Sequence, residues 1–163
     1  MDMTGLSGSI VAIVTPFKED RGVDFEALER LVDFHLANGT DGILVLGTTG
    51  ESSTMTDRED YEVATCVVDR VAGRIPVIGG SGSNSTDESL RKSLGLQKLG
   101  VDGLLIITPY YNKSNEEGIY HHLNSVLDAV NLPCVLYNIP GRTGCSIRDR
   151  KSTRLNSSHN QRS

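Results

Sequence analysis

Five short apolar runs, none alternating polar with apolar residues, constrain this chain more than anything else in it. They lie at residues 10–14, 43–46, 76–78, 104–107 and 134–137. A strand with one wet face alternates, so runs like these predict strands covered on both faces. Successive runs begin roughly 30 residues apart, the length of one βα unit. Helical patterns fill the gaps. Residues 25–38 place Leu28, Leu31, Val32, His35 and Leu36 on one face, open at Asp24 as N-cap and stop at Gly39. Residues 56–71 open with a capping box, Thr56 and Glu59, and residues 114–130 with a second, Ser114 and Glu117. Residues 87–99 stop at Gly100. A weak internal echo links Asn38-Gly39-Thr40-Asp41-Gly42 to Leu99-Gly100-Val101-Asp102-Gly103, each a helix stop, a turn and a strand. Repeated βα units predict an α/β fold, either a doubly wound sheet or a (β/α)8 barrel. No Gly-x-Gly-x-x-Gly follows the first run, which argues against a dinucleotide fold. A whole barrel takes ~250 residues. Five strands are a little over half of one.

Composition narrows the function classes. The chain has 163 residues, 37% hydrophobic and 23% charged, a globular balance. A net charge of −5 argues against a nucleic-acid surface. No apolar run approaches the ~20 residues of a membrane span. The start, Met1 to Ser7, lacks the basic-then-apolar pattern of a signal peptide. Cys66, Cys134 and Cys145 are an odd set without metal spacing and read as reduced thiols of a cytoplasmic protein, the first two as small core residues. His121 and His122 share a helix without ligand spacing, and His35 reads as a packed helix residue.

Chemistry concentrates in the loops. Gly47-Thr48-Thr49-Gly50-Glu51-Ser52 follows the second strand, at the strand end where α/β proteins bind ligands. Its hydroxyls and unhindered backbone N–H groups suit a small carboxylate, and Glu51 reads as a loop-stabilising acceptor. Tyr137 ends the fifth strand. From spacing alone it is either a core aromatic or an acid–base group. A free phenol with pKa ~10 needs a hydroxyl chain or a nearby cation to act near neutrality, and Thr48 and Arg142 could supply them.

The loops after strands two, four and five, with the start of the chain, carry a family likeness. They read Gly47-Thr48-Thr49-Gly50-Glu51-Ser52, Thr108-Pro109-Tyr110-Tyr111-Asn112 and Tyr137-Asn138-Ile139-Pro140-Gly141-Arg142-Thr143-Gly144, after Val14-Thr15-Pro16-Phe17 near the start. In order and spacing this closely resembles the 4-hydroxy-tetrahydrodipicolinate synthase (dihydrodipicolinate synthase) family of pyruvate-dependent class I lyases and aldolases, over residues 8–147. The resemblance implies a (β/α)8 TIM barrel, present here for about five strands, and a homotetramer built as a dimer of dimers. It implies a Schiff base between a lysine and pyruvate, whose enamine attacks aspartate semialdehyde in lysine and diaminopimelate biosynthesis, with no metal and no organic cofactor. Thr49 would hold the pyruvate carboxylate. Tyr137 would be the general acid and base, and Thr48 would link it to Tyr111 of the neighbouring subunit. Arg142 would bind the aldehyde's carboxylate, a task for a planar bidentate donor. Ser53, Asn84, Glu88 and Tyr110 match or approximate the lysine-regulatory site of the family. Asp57 and Asp60 stand where some lysine-sensitive members have histidines. Sibling lyases, acting on N-acetylneuraminate or keto-deoxy sugar acids, share the barrel and the tyrosine. Arg142 and the Tyr110-Tyr111 pair favour the synthase. A non-catalytic binding module is the reading from another class.

The resemblance stops near Ile147. Residues 148–163 are basic, polar and aperiodic, and 149–159 resemble a translated sequencing adapter. They are expected to be a non-native, disordered tail. The family's Schiff-base lysine belongs to a sixth strand beyond Arg142, and Lys18, Lys92, Lys98, Lys113 and Lys151 do not match it. A 163-residue product is therefore expected to be inactive, and poorly soluble because strands one and five would be bare edges.

Overall fold

A computed structural model describes residues 7–147. The expected tail and Lys151 lie outside the described residues. Five strands form one parallel sheet: β1 (Ile10–Ala12), β2 (Gly42–Val45), β3 (Val77–Gly80), β4 (Gly103–Ile107) and β5 (Cys134–Tyr137). Their order in the sheet is their order in the chain, β1-β2-β3-β4-β5. A doubly wound sheet reverses direction at a switch point. This one does not, so the winding is that of a barrel. Four helices separate the strands: α1 (Phe25–Ala37), α2 (Asp57–Val71), α3 (Thr86–Leu99) and α4 (Glu116–Ala129). A single turn, α5 (Pro140–Thr143), follows β5.

The helix ends follow local chemistry. Asp24 accepts from the Ala27 N–H, and Thr56 and Glu59 close a full capping box. The expected second capping box does not form. Asn115, not Ser114, caps α4, with its Oδ1 accepting from the Gly118 N–H at 2.8 Å. Asn and Ser are comparable caps, and here the asparagine's geometry wins.

The expectation that both faces of every strand are covered holds fully for one face, and on the other it holds at Ile78, 5% exposed. Val11, Ile13, Ile43, Val45, Val77, Leu104, Ile106, Cys134 and Leu136 point one way and join the core under the helices. Leu28, Leu96 and Leu123 fill that core from α1, α3 and α4 with no exposed surface. The opposite face runs through register partners: Ala12, Leu44 and Ile78, then Leu105 and Val135, then Ile107 and Tyr137. None of these belongs to the core cluster, and Ile10 and Val14 are 40% and 48% exposed. In a barrel this is the inward face, covered by strands across the axis rather than by helices. That is why apolar residues crowd both faces while helices pack on one.

The internal echo has a structural cause. Asp41 donates its N–H to the Ser9 carbonyl at 2.9 Å, and its carboxylate accepts the Ser9 N–H at 2.7 Å. Asp102 does the same to Val77, at 2.8 and 2.9 Å. Each aspartate thus clips the start of its strand to the start of the strand before. Asp102→Ala leaves the N–H of the buried Val77 without its acceptor. It should cost about 1–2 kcal/mol in chemical or thermal unfolding, with Asp102→Asn recovering most of the loss. Equal stability of the alanine and wild-type chains would remove the clip's role.

His122 packs inside, as expected of a structural histidine, with Nδ1 2.9 Å from the Thr86 hydroxyl. Its Nε2 is buried and has no partner among the described residues. Burial lowers its pKa below the ordinary 6.5. The unfolded chain therefore takes up this proton first. Stability is full above about pH 6.5 and should decline as pH falls below it toward the depressed folded value. His122→Gln should flatten that decline in urea titrations between pH 7 and 5. Unchanged pH dependence would reject the assignment. His35, on the outer helix layer, meets the Thr40 hydroxyl at 3.2 Å.

Candidate active site

The loops that carry the likeness all leave the C-terminal ends of the strands, so the sheet gathers them at one end. The first leaves β2. Leu46, 6% exposed, takes a left-handed backbone at φ 61°. A buried leucine pays strain there, of the kind that clusters at functional sites. The chain then makes two 3-10 turns, Thr48–Gly50 and Ser52–Thr54, with Glu51 left-handed between them. Two hydroxyls fasten the loop from outside. The buried Thr15, just after β1, donates to the Gly50 carbonyl at 2.7 Å. Ser52 donates to Asp60 Oδ2 on α2 at 3.3 Å. Thr48 and Thr49 are left exposed. Glu51 does stabilise the loop, but through its backbone carbonyl, which accepts from Thr54 at 2.8 Å, rather than through its carboxylate.

Glycine lets the neighbouring loops close on this one. A Cβ on Gly80 would sit 2.3 Å from the Leu46 carbonyl oxygen, and one on Gly82 would sit 2.4 Å from the Ile107 nitrogen. The end of β3 therefore touches the loops of β2 and β4 at backbone distance.

The β4 loop carries Tyr110 and Tyr111. Tyr111 adopts φ 70° and is 90% exposed, so its own chain gives the ring almost no cover. Lys113 is also left-handed, and its stem lies beside Gly144. Asn112 reaches the Asn84 carbonyl at 3.4 Å, joining this loop to that of β3. Tyr137 pairs with Ile107 in register, and its carbonyl accepts from the Thr108 N–H at 3.3 Å. After it, Pro140 opens the turn that carries Arg142. Thr143 holds that turn, donating to the Ile139 carbonyl at 3.2 Å or the Cys145 carbonyl at 3.0 Å. The Asn138 side chain clips to Ile147 at 3.1 Å. Among the described residues no hydrogen bond joins the side chains of Thr48, Tyr111, Tyr137 and Arg142.

Of the residues expected to form a regulatory site, Glu88 belongs to an ion cluster centred on Lys92. Lys92 Nζ lies 3.1 Å from Asp60 and 3.3 Å from Glu88. Asp60 is 2% exposed, and its Oδ1 is buried without a partner among the described residues. Burial raises the Asp60 pKa although Lys92 pulls it down. Burial also works against the Lys92 charge, yet Asp60 and Glu88 leave its pKa raised. Asp60 Oδ2 receives both the ammonium and the Ser52 hydroxyl, so the contact is read as ionic. Asn84 is half-buried beside this cluster, and Ser53 is exposed. The family likeness pointed to Asp60, but nothing in the sequence paired it with Lys92, which on a helix reads as a solvated charge.

All three cysteines are free and half-buried, and burial pushes the Cys134 thiol up to about 12. Among the described residues no group of acidic, histidine and cysteine side chains could hold a metal. No described helix is long and apolar enough to cross a membrane.

The sequence profile of the dihydrodipicolinate synthetase family matches residues 5–161. The chain belongs to this family. It is 54% identical over 145 residues to the 4-hydroxy-tetrahydrodipicolinate synthase of Caldicellulosiruptor bescii, an alignment taking in 89% of this chain and 49% of that protein. Its fold superposes with a TM-score of 0.88 on the dihydrodipicolinate synthase of Acinetobacter baumannii complexed with pyruvate, at 46% identity, covering 91% of this chain and 51% of the other. The enzyme of Cyanidioschyzon merolae with lysine bound gives a TM-score of 0.88 at 45% identity, covering 91% and 51%. The chain spans about half the length of the curated relatives it matches. Its five-stranded sheet is the N-terminal portion of the family's (β/α)8 barrel.

Proposed function

We propose that this chain supplies the pyruvate-side loops and the acid–base tyrosine of a cytoplasmic 4-hydroxy-tetrahydrodipicolinate synthase. The observation that carries the reading is the convergence of the Thr48–Thr49 loop, Tyr137 and Arg142 at one end of a parallel sheet that is half of this barrel. Thr49 and the loop's N–H groups hold the pyruvate carboxylate. Tyr137 relays the proton as the imine forms and breaks, through Thr48. Arg142 receives the carboxylate of aspartate semialdehyde. Tyr111, bare on its own chain, completes the relay in the neighbouring subunit of a dimer of dimers. The nucleophilic amine is a separate matter. Among the described residues no lysine lies on a strand: Lys92 and Lys98 are on α3, and Lys18 and Lys113 are in loops.

The test joins residues 1–147 to the C-terminal half of the Caldicellulosiruptor bescii enzyme. The hybrid should form a borohydride-trappable adduct with pyruvate and condense it with aspartate semialdehyde, whereas the 163-residue chain alone traps none. A hybrid that cleaves N-acetylneuraminate instead makes the chain a sibling lyase. One that binds pyruvate and turns over neither substrate makes it a binding module.

Lysine should act weakly. Glu88 already carries the Lys92 ammonium at 3.3 Å, and Asp60 holds that ammonium from the other side. A free lysine must compete with a tethered one. The hybrid should keep most of its activity at lysine concentrations that silence a sensitive family member, and Lys92→Met should increase the inhibition.

A further inference from the structure

We propose that Lys92 is a positioning residue whose single ammonium ties the β2 loop to the β3 loop. One arm runs from Lys92 Nζ to Asp60 Oδ2 at 3.1 Å, and from there to the Ser52 hydroxyl at 3.3 Å. Ser52 opens the second 3-10 turn of the loop that presents Thr48 and Thr49. The other arm runs from Lys92 Nζ to Glu88 Oε1 at 3.3 Å. The second oxygen of Glu88 accepts from the Ser83 hydroxyl at 2.9 Å. Ser83 is buried in the loop after β3, where its hydroxyl also accepts from the Ser85 N–H at 3.2 Å. Asp57, at 4.0 Å, is the third carboxylate near the ammonium, and Arg91 already satisfies it at 2.7 Å.

The Lys92 side chain is 15% exposed, that of Asp60 3% and that of Glu88 36%, so the Asp60 arm is buried and the Glu88 arm is buried at its ammonium end. A buried ammonium with two buried or half-buried carboxylates has few alternative geometries, because leaving one partner unpaired is costly. The arms therefore fix the distance between the two loops. The buried seryl chain extends the hold inward. Ser89 donates to the Ser81 carbonyl at 3.0 Å, and Ser93 donates to the Ser81 hydroxyl at 2.8 Å. The link from loop spacing to pyruvate affinity rests on the proposed carboxylate role of the Thr48–Thr49 loop.

Hydrogen exchange on the full chain, read by mass spectrometry at micromolar concentration, tests both links. Lys92→Met should raise exchange at least tenfold in peptides covering 48–55 and 81–86, with β4 peptides unchanged. Ser52→Ala should affect only the first peptide and Ser83→Ala only the second, and these mild variants decide the matter if Lys92→Met unfolds. A general loss of stability would raise exchange everywhere, and that pattern, or no change in either loop, overturns the proposal. Pyruvate should slow exchange in 48–55 of the wild type, with half-saturation shifted upward about tenfold in Lys92→Met. If pyruvate protects nothing in the wild type, the carboxylate reading fails while the loop coupling is still judged by the exchange pattern.

Discussion

Gly80→Ala will displace the Thr48–Thr49 loop and with it the carboxylate site proposed there. The added methyl carbon would lie 2.3 Å from the Leu46 carbonyl oxygen and 2.8 Å from its carbon. Both are backbone atoms, so no rotamer change relieves the contact. Leu46 is already held left-handed at φ 61°, and Gly80 belongs to the sheet, so neither side can yield freely. Overpacking of this kind costs about 3 kcal/mol, and more where backbone must shift. The loss should appear in urea unfolding of the chain. In the hybrid barrel it should appear as a pyruvate KM raised by about tenfold or more. A variant that keeps both stability and KM would show that the loop adapts, contrary to the geometry.

Tyr137→Phe in the same hybrid should lower kcat by about 10²–10⁴-fold, the range for losing a positioned acid–base group. The pyruvate KM should hold within about threefold, because the proposed carboxylate site is the Thr48–Thr49 loop. The phenol ring stays in register with Ile107, so the substitution removes only the hydroxyl from a side chain that is 36% exposed. Exposure at the sheet end is what a reagent-facing tyrosine needs and what a core aromatic lacks. A kcat within a few-fold of wild type would return Tyr137 to a packing role and overturn its proposed acid–base role.

The strands were legible because buried parallel strands leave continuous apolar runs, and β5 falls exactly where its run, Cys134 to Tyr137, lies. The helices were legible from spacing and caps. The Asp24, Thr56 and Gly100 signals all mark real ends. What the runs could not tell was what covers each face. Residues under helices and residues facing a barrel axis are equally apolar, so Leu44 and Val45 look alike in sequence though they face opposite ways. The site loops were legible through their family motifs, whereas their fastenings were not. Thr15, Ser52, Thr143 and Asn138 are small polar residues whose partners lie in other segments or across a turn. Lys92 and Asp60 are 32 positions apart, and only the packing of α2 on α3 brings them together.

The strand order has a consequence for how the chain acquires its structure. Sheet pairing runs only between neighbours in sequence, and α1 packs on α2, α2 on α3, and α3 on α4. Each βα unit can then form as soon as the one before it is in place, as in a linear repeat array whose stability is a sum of unit and interface terms. Fraying should begin at β1 or β5 and travel inward, with β3 the last to open. Cooperativity of the all-or-none kind enters only when a barrel closes and its first strand meets its last. Closure brings together residues far apart in the chain, and such contacts are the slow ones to form.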